Sequence, residues 1–327
     1  MRKHQKIVII VIALLCLLSG FIGGLWVGRS RGFPFVAEEA KWSIGIYIGE
    51  DPFNFASPED IANPVLSAAD VTDVPAKFIA DPFMVEEGGT WYMFFEVMNA
   101  LTGHGDIGLA TSNDGLHWIY KQIVIDEPFH LSYPCVFKWN NEYFMIPEAH
   151  EAHSIRLYKA NSFPNGWVFV KTLLSEGDFV DPTFFHYGAK CWIFAETNPE
   201  GNDILRLYYS DSLEDPWVEH PESPVVMGNA NIARPGGRVI SFDDRLVRYA
   251  QDDDPTYGNQ VRAFEIDMLT TSIYREQEVD RIPILGATGS GWNAEGIHHI
   301  DAHRTRGGMW IACVDGLQRV LVFGPEY

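Results

Sequence analysis

The chain has 327 residues, of which 46 % are apolar, and this is enough to bury a large core in one or two domains. Its 44 acidic residues outnumber its 24 basic residues, which gives a net charge of −20 at pH 7. A surface this acidic argues against nucleic acid and anionic lipid as partners, because both require cationic surfaces. Neutral polymers and cations remain compatible with it.

The first 31 residues differ from the rest of the chain. Three basic residues precede an uncharged, mostly apolar run at residues 7–28, and two arginines follow it. About 20 apolar residues cross a bilayer as one helix, whereas the apolar region of a signal peptide has about 7–15. We therefore predict a transmembrane signal-anchor at residues 1–31, with its basic end in the cytoplasm. A signal cleaved near Ser19 and Gly20 is the alternative, and it would make the protein secreted.

A linker at residues 32–39 then leads into an exported domain at residues 40–327. We expect this domain on the extracytoplasmic side of a membrane, in a periplasm, at a cell surface or in a Golgi-type lumen. Outside the anchor, Cys135, Cys191 and Cys313 stand isolated in apolar runs. Such spacing favours buried free thiols over a disulfide framework.

Beyond the linker, short apolar runs alternate with Gly, Asn, Asp and Pro, which is typical of all-β folds. The runs recur as a unit of four at a period of roughly 50 residues. The first runs begin around Asp81, Tyr133, Asp181 and Arg234, and less clearly near His298. The second runs end on Glu96, Glu148, Glu196, Gln251 and Asp315.

The fifth unit reaches the end of the chain without a fourth run, and residues 42–49 supply an apolar segment that can replace it. A strand from the N-terminus that completes the last unit is how a ring of blades hides its edges. We therefore predict one all-β domain, a five-bladed β-propeller over residues 40–327.

The repeat predicts a pocket at one face of this propeller. The innermost strand of each blade borders the central channel, and the second strand runs antiparallel to it. The beginnings of the first runs and the ends of the second runs therefore meet at the same channel mouth. The alternative is that the Asp-Pro pairs merely turn the chain into each strand.

A ring of carboxylates in a channel favours a bound cation, a hydroxyl-rich ligand or shared protons. Calcium or sodium is the expected ion, since hard cations prefer carboxylate and water oxygens, but no cofactor is required. Paired carboxyl groups in unequal environments are also what glycosidic bond cleavage needs.

Other polar residues of the repeat are candidates for substrate binding. His130 and Tyr133 lie near the mouth, where an aromatic ring could stack on a sugar or simply be packed. Arg234 either holds an anionic group or neutralises the acidic ring. Gln251 and Asp252 are candidates for binding hydroxyl groups.

Near the fifth unit, His299, Asp301 and His303 alternate along one strand face. Such residue types can ligate a transition metal. Strand alternation produces the same pattern without a metal, and we predict no metal ligands.

Several phrases together, among them "ADPF", "WYMFFE", "GDIGLATS", "HLSYPCVF" and "YGNQVRAFEI", resemble the N-terminal domain of plant glucosamine inositolphosphorylceramide transferases and its stand-alone bacterial relatives. The resemblance covers nearly all of the exported part. It does not extend to the separate glycosyltransferase domain of the plant proteins, so it implies no transferase activity.

More distantly, the propeller is similar to glycosidases of families 43, 32 and 68 and to mannoside phosphorylases of family 130. The family 43 pattern implies that Asp81 is the general base and that Asp181 orients it. The same pattern places a general-acid glutamate where this chain has Arg234. An acid would then come from elsewhere, and the candidates are Glu148 and Glu196.

The sequence thus predicts a membrane-anchored glycoside hydrolase that acts on a polysaccharide or glycolipid, with a phosphorylase as a variant. Asp81 would be base or nucleophile, Asp181 would orient it and Glu148 would be the acid. The expected substrate-binding residues are Glu96, His130, Tyr133, Glu196, Arg234, Gln251, Asp252 and His299. A glycan-binding module without turnover and a scaffold for an envelope protein are the alternatives.

Overall fold

The computed structural model describes residues 14–20 and 36–323. The chain divides into two compact units, residues 41–318 and residues 1–40 with 319–327. Residues 14–20 are helical, and among the described residues no helix is long and apolar enough to cross a membrane. The rest of the predicted anchor, residues 1–13 and 21–31, lies outside the described residues, as do residues 32–35 of the predicted linker. Strand β1 (Val36–Asp51) begins within that linker.

Five antiparallel sheets form the blades of a propeller, and in blades one to four the principal strands follow one another in chain order. Blade one contains β3 (Ala76–Glu87), β4 (Thr90–Asn99), β5 (Gly105–Ser112) and β6 (Ile119–Ile125). Blade two contains β7 (Ser132–Trp139), β8 (Glu142–Glu148), β9 (Ser154–Ser162) and β10 (Asn165–Ser175). Blade three contains β11 (Val180–Tyr187), β12 (Lys190–Glu196), β13 (Ile204–Ser210) and β14 (Val218–Glu219), with β15 (Val226–Met227) also on β13.

Blade four is built in the same way. It contains β16 (Ile240–Phe242), β17 (Arg245–Asp252), β18 (Gln260–Leu269) and β19 (Tyr274–Glu278), with β20 (Leu285–Gly286) also on β18. Short 3₁₀ turns at Ala68–Asp70, His150–Ala152 and Gly291–Asn293 lie in connecting segments. The predicted five-bladed all-β fold is therefore confirmed.

Blade five joins the two ends of the propeller sequence. Its strand order is β2 (Asn54–Ala56), β1 (Val36–Asp51), β22 (Trp310–Phe323) and β21 (Ile300–Arg304). The predicted second and third runs of this unit form the single strand β22. The N-terminal strand completes the blade as predicted, but as its third strand rather than its fourth, and β2 is the outermost.

Aromatic side chains fill the spaces between neighbouring blades. Phe94 of blade one meets Trp167 of blade two edge to face, with ring centroids 5.4 Å apart. Phe137 of blade two stacks on Phe184 of blade three at 4.0 Å. Equivalent aromatic contacts join blade three to four and four to five. Such pairs add about 0.5–1.5 kcal/mol each to the burial of their area.

A buried ion pair joins four blades inside the channel. Arg238 lies just before β16, and its Nε donates to Oδ1 of Asp301 in β21 over 2.7 Å. The same guanidinium donates to the carbonyls of Val136 in β7 and Met84 in β3, at 2.9 and 3.2 Å. The Met84 amide and His303 Nε2 donate to the other oxygen of Asp301. Although burial raises the pKa of Asp301, Arg238 and His303 outweigh it and hold that pKa below its usual range.

Replacing Arg238 by Met should destabilise the propeller by about 3–5 kcal/mol, because Asp301 would remain as a buried charge without its guanidinium partner. The measurement is the free energy of unfolding in urea. Arg306→Met is the matched control, since Arg306 also pairs with a carboxylate, Glu86 at 3.1 Å, but is exposed, and its loss should cost less than about 1 kcal/mol. Equal losses in the two variants would contradict a central role for the buried pair.

Candidate functional site

The first strands of blades one to three each present one residue to the channel mouth through a strained bulge. Asp81, Tyr133 and Asp181 have positive φ angles of 52°, 43° and 48°, and the strand register shifts at each of them. A residue other than glycine that is held in the left-handed region costs of order 1–3 kcal/mol. Bulges redirect side chains and are frequent beside active sites.

The carboxylates that end the second strands hold these strained residues from the neighbouring blade. Asp315 of blade five accepts a hydrogen bond from the backbone amide of Asp81 in blade one, at 3.2 Å. Glu148 of blade two accepts one from the amide of Asp181 in blade three, at 3.0 Å. At these two positions the acid at the end of the second run in one blade holds the strained residue of the next blade.

Asp181 lies at the centre of one polar group. Its Oδ2 accepts hydrogen bonds from Arg234 Nε and Gln251 Nε2, each at 2.6 Å. Arg234 also donates to Asn202 over 3.1 Å, and its Nη2 lies 3.9 Å from Glu148. Arg234 is therefore engaged by carboxylates of its own channel.

Asp81 lies in a second group with two histidines of blade five. Its Oδ1 is 3.7 Å from His298 Nε2 and 3.9 Å from His299 Nδ1. Within residues 36–323 no side chain or amide donates a hydrogen bond to the Asp81 carboxyl group. Burial raises the pKa of Asp81 to about 6; the cationic His298 opposes this rise and Asp315 adds to it.

Glu148 and Glu96 occupy the same position of the repeat but differ in charge. Burial raises the pKa of Glu148, but His150, whose Nδ1 donates to it over 2.8 Å, and Arg234 outweigh this and lower the pKa to about 2. For Glu96, burial and the negative charges of Asp81 and Glu148 act together and raise the pKa well above its usual value. Glu148 is therefore ionised at neutral pH, while the surroundings of Glu96 favour its protonated form.

His130 lies beside Glu96, as the sequence predicts. The Gly105 amide donates to His130 Nδ1 over 3.0 Å, which leaves the proton of the ring on Nε2. That nitrogen is 3.4 Å from Glu96 Oε1. Because burial lowers the pKa of His130, its ring is neutral at pH 7.

Three of the predicted substrate-binding residues are buried and held by internal hydrogen bonds. Tyr133 shares a hydrogen bond with Thr183 Oγ1 at 2.7 Å and accepts one from the Gly237 amide at 2.8 Å, so it is packed rather than free to stack on a sugar. Asp252 accepts hydrogen bonds from the side chains of Asn231, Gln260 and Arg262. His299 donates from Nε2 to the Pro82 carbonyl.

Glu196 holds a loop of its own blade. It is fully buried, and its Oε1 accepts hydrogen bonds from the amides of Asn198 and Ile204, which hold the connection between β12 and β13. Of the two acids proposed from the sequence, Glu148 is thus ionised and Glu196 supports a loop.

Aromatic residues at the mouth were not predicted as site residues. Tyr257 is 42 % exposed, and the Arg234 guanidinium lies 5.0 Å from its ring centroid. Trp42 stacks on His298 with ring centroids 4.1 Å apart. Two features of the sequence could have indicated these residues. Tyr257 is an aromatic residue in the Asp-rich loop that follows Gln251. His298 stands at the weakly matching start of the fifth unit.

Asp81, His298 and Asp315 offer one ligand atom each within 4.8 Å of one another. His298 Nδ1, however, lies 2.7 Å from Asp315 Oδ2. Burial lowers the pKa of His298, but Asp315 outweighs it and raises that pKa, which favours an imidazolium that cannot ligate a cation. The predicted calcium or sodium ion stays a prediction, and these three residues do not favour it.

The comparison with known proteins identifies the family. Residues 36–317 match the family model described as glucosamine inositolphosphorylceramide transferase 1, N-terminal. The chain belongs to this family. It is 37 % identical over 299 residues to glucosamine inositolphosphorylceramide transferase 1 of Oryza sativa subsp. japonica and 35 % identical to that of Arabidopsis thaliana. These alignments cover 85 % of this chain but only 40 % and 39 % of the plant proteins.

Solved structures share the fold at low sequence identity. A thermostable family-43 glycoside hydrolase superposes with a TM-score of 0.56 at 14 % identity, covering 82 % of this chain and 99 % of that one. The catalytic domain of a family 62 α-L-arabinofuranosidase of Coprinopsis cinerea gives a TM-score of 0.55 at 14 % identity, covering 86 % and 96 %. The resemblance to glycoside hydrolase propellers is thereby confirmed for the fold.

Asp81→Asn should stabilise the protein at pH 8 by up to about 3 kcal/mol and leave its stability unchanged near pH 4. The folded pKa of about 6 exceeds the usual value, so the stabilising proton is bound at low pH and lost as the pH rises through 6. Unfolding in urea at pH 4, 6 and 8 measures this difference. Asp244→Asn is the control, because Asp244 is also left-handed, with φ 62°, but exposed. A constant difference at all three pH values would contradict the raised pKa.

Proposed function

We propose that this chain is a glycan-processing enzyme that cleaves glycosidic bonds at the mouth of the propeller channel. The observation that carries the proposal is a pair of carboxyl groups whose pKa values are both raised by their surroundings. Burial raises the pKa of Asp81 to about 6, and burial together with the charges of Asp81 and Glu148 raises the pKa of Glu96 well above its usual value. Glycosidases need one carboxylate as base or nucleophile and one carboxylic acid to protonate the leaving oxygen.

The proposed roles follow from the surroundings of each group. Asp81 is the base or nucleophile, because no hydrogen bond within residues 36–323 occupies its carboxyl group. Glu96 is the acid, which replaces the sequence-based choice of Glu148, since an acid with a pKa of about 2 has no proton to give at neutral pH. Asp181 positions Arg234, and Glu148 holds the Asp181 amide in place.

The substrate class that we propose is a polysaccharide or the glycan of a glycolipid at a cell surface. The names of the plant relatives refer to inositolphosphorylceramide, and a glycolipid is one source of such glycans. The exposed ring of Tyr257 at the mouth supports a sugar ligand, because aromatic faces pack on apolar sugar faces. We also propose that the propeller lies on the extracytoplasmic side of a membrane and is attached through the N-terminal segment.

A glycan-binding module without turnover is the second candidate. Arg234 stands where the family 43 pattern has its acid, and it is bound to Asp181 rather than free. A phosphorylase is a variant of the enzyme proposal in which phosphate replaces water, and it would need phosphate for release.

The test is release of reducing ends by the full chain from a panel of cell-wall polysaccharides, exopolysaccharides and glycolipids. Bound glycan is measured in the same samples, with and without phosphate. Asp81→Asn and Glu96→Gln should each lower release by about 10²–10⁴, while Asp244→Asn should leave it unchanged. Binding without release by the wild type, unaffected by Asp81→Asn, would support the binding module instead.

The pH profile of release should rise through about pH 6, as Asp81 loses its proton, and fall at higher pH, as Glu96 loses its own. Initial rates between pH 4 and 9 at saturating substrate measure it. Glu96→Gln should remove the falling limb from any residual activity. A profile that stays flat between pH 5 and 7 would contradict Asp81 as the base.

A further inference from the structure

A second group of ligand-type side chains lies outside the channel, at the outer part of blade one. His104 directly precedes β5, Asp106 is its second residue, and Asp126 directly follows β6. Each offers one ligand atom, and the three atoms lie within 4.8 Å of one another. Neighbouring strands therefore bring one imidazole and two carboxylates together.

Asp106 is buried in a way that its own surroundings do not explain. The residue is 1 % exposed, and its Oδ2 accepts a hydrogen bond from Asn99 Nδ2 over 2.9 Å. Its Oδ1 has no hydrogen-bond partner within residues 36–323, and neither does His104 Nδ1, which is 3.5 Å away. A buried carboxylate oxygen without a donor is costly, and a second carboxylate beside it increases that cost. A bound cation removes both costs.

The segment that carries these ligands is held firmly in place. Asn99, at the end of β4, accepts a hydrogen bond on its side-chain oxygen from the Leu101 amide, and its carbonyl accepts one from the Gly103 amide. Its amide group meanwhile orients Asp106. Partners of this kind, which orient metal ligands, are a regular part of metal sites.

We propose that His104, Asp106 and Asp126 form a binding site for a divalent transition-metal ion. Ligand atoms around an ion at 2.0–2.2 Å lie roughly 3–4 Å apart. His104 Nδ1 and Asp106 Oδ1 are 3.5 Å apart, and the Asp126 ligand atom lies within 4.8 Å of the other two. One imidazole with two carboxylates suits Zn²⁺ or Mn²⁺ better than Ca²⁺ or Mg²⁺, which take oxygen ligands. Since Asp126 is exposed, the remaining coordination positions face water or the hydroxyl groups of a ligand.

The site adjoins the channel mouth through Gly105. The Gly105 amide donates to His130, and its carbonyl accepts from the Leu131 amide at 2.9 Å. A bound ion therefore fixes the start of β5 and, through it, the ring that faces Glu96. The site does not depend on the proposed hydrolase chemistry.

The experiment is titration of the full chain with Zn²⁺ or Mn²⁺ by isothermal calorimetry. The protein is purified in mild detergent without a polyhistidine tag and stripped with a chelator, and Ca²⁺ serves as the comparison ion. We expect one equivalent of Zn²⁺ or Mn²⁺ per chain. His104→Gln and Asp126→Asn should each weaken binding at least tenfold, and Asn99→Ala about 10- to 100-fold.

His117→Gln is the matched control, because His117 also lies 2.8 Å from an aspartate, Asp114, but both are exposed. It should bind as the wild type does. Absence of binding by the wild type, or equal binding by His104→Gln and Asp126→Asn, would overturn the proposal. Binding that is lost in Asp315→Asn but kept in His104→Gln would place the ion in the channel and also overturn it. Because Asp126 is exposed, its variant should fold even where a buried one does not.

Discussion

The buried ion pair of Arg238 and Asp301 sets how the blades meet around the channel. Contacts between blades are mostly apolar, and apolar contacts fix area more than orientation. The guanidinium adds directional hydrogen bonds to carbonyls of β3 and β7 and to a carboxylate of β21. All three of these strands are innermost, so one side chain from blade four relates blades one, two and five to each other. Buried ion pairs of this kind contribute specificity more than stability.

The channel mouth also depends on side chains that form hydrogen bonds to a neighbouring blade. A carboxylate at the end of a second strand can hold the amide of the strained residue in the next blade, as Glu148 and Asp315 do. A carboxylate that receives such a hydrogen bond is stabilised in its charged form. Glu96 occupies the equivalent position in blade one, but its Oε1 is buried without a donor within residues 36–323. One position of the repeat therefore yields a carboxyl group with a lowered pKa in blade two and one with a raised pKa in blade one.

The repeat in the sequence was sufficient to predict the five blades, because strand alternation and turn residues are local signals. It misplaced a boundary in blade five, where the second run is predicted to end on Asp315, directly before Gly316. In the structure Gly316 lies inside β22, and a Cβ there would come within 2.4 Å of Trp292. The glycine is needed for close packing rather than for a turn. A single sequence carries no sign of which of these two uses applies.

For the site, the sequence placed Asp81, Asp181, Glu96, Glu148 and Arg234 at one mouth, because their position in the repeat determines it. It could not assign their protonation, which depends on residues far along the chain. The low pKa of Glu148 comes from His150 and Arg234, and only the fold brings Arg234 beside it. Burial of Tyr133 and Asp252 likewise depends on partners in other strands.

Arg234 is the position at which this chain differs from the glycoside hydrolase pattern that its propeller resembles. In the hydrolase pattern this position supplies the acid, and here its cation is engaged by Asp181 and lies near Glu148. Two carboxylates that would otherwise raise the pKa values of their neighbours are thereby partly neutralised. The same cation opposes the rise of the pKa of Asp81 and of Glu96, which burial and neighbouring carboxylates cause. The residue that stands where the hydrolase pattern has its acid therefore acts on the charge of four carboxyl groups, Asp81, Glu96, Glu148 and Asp181.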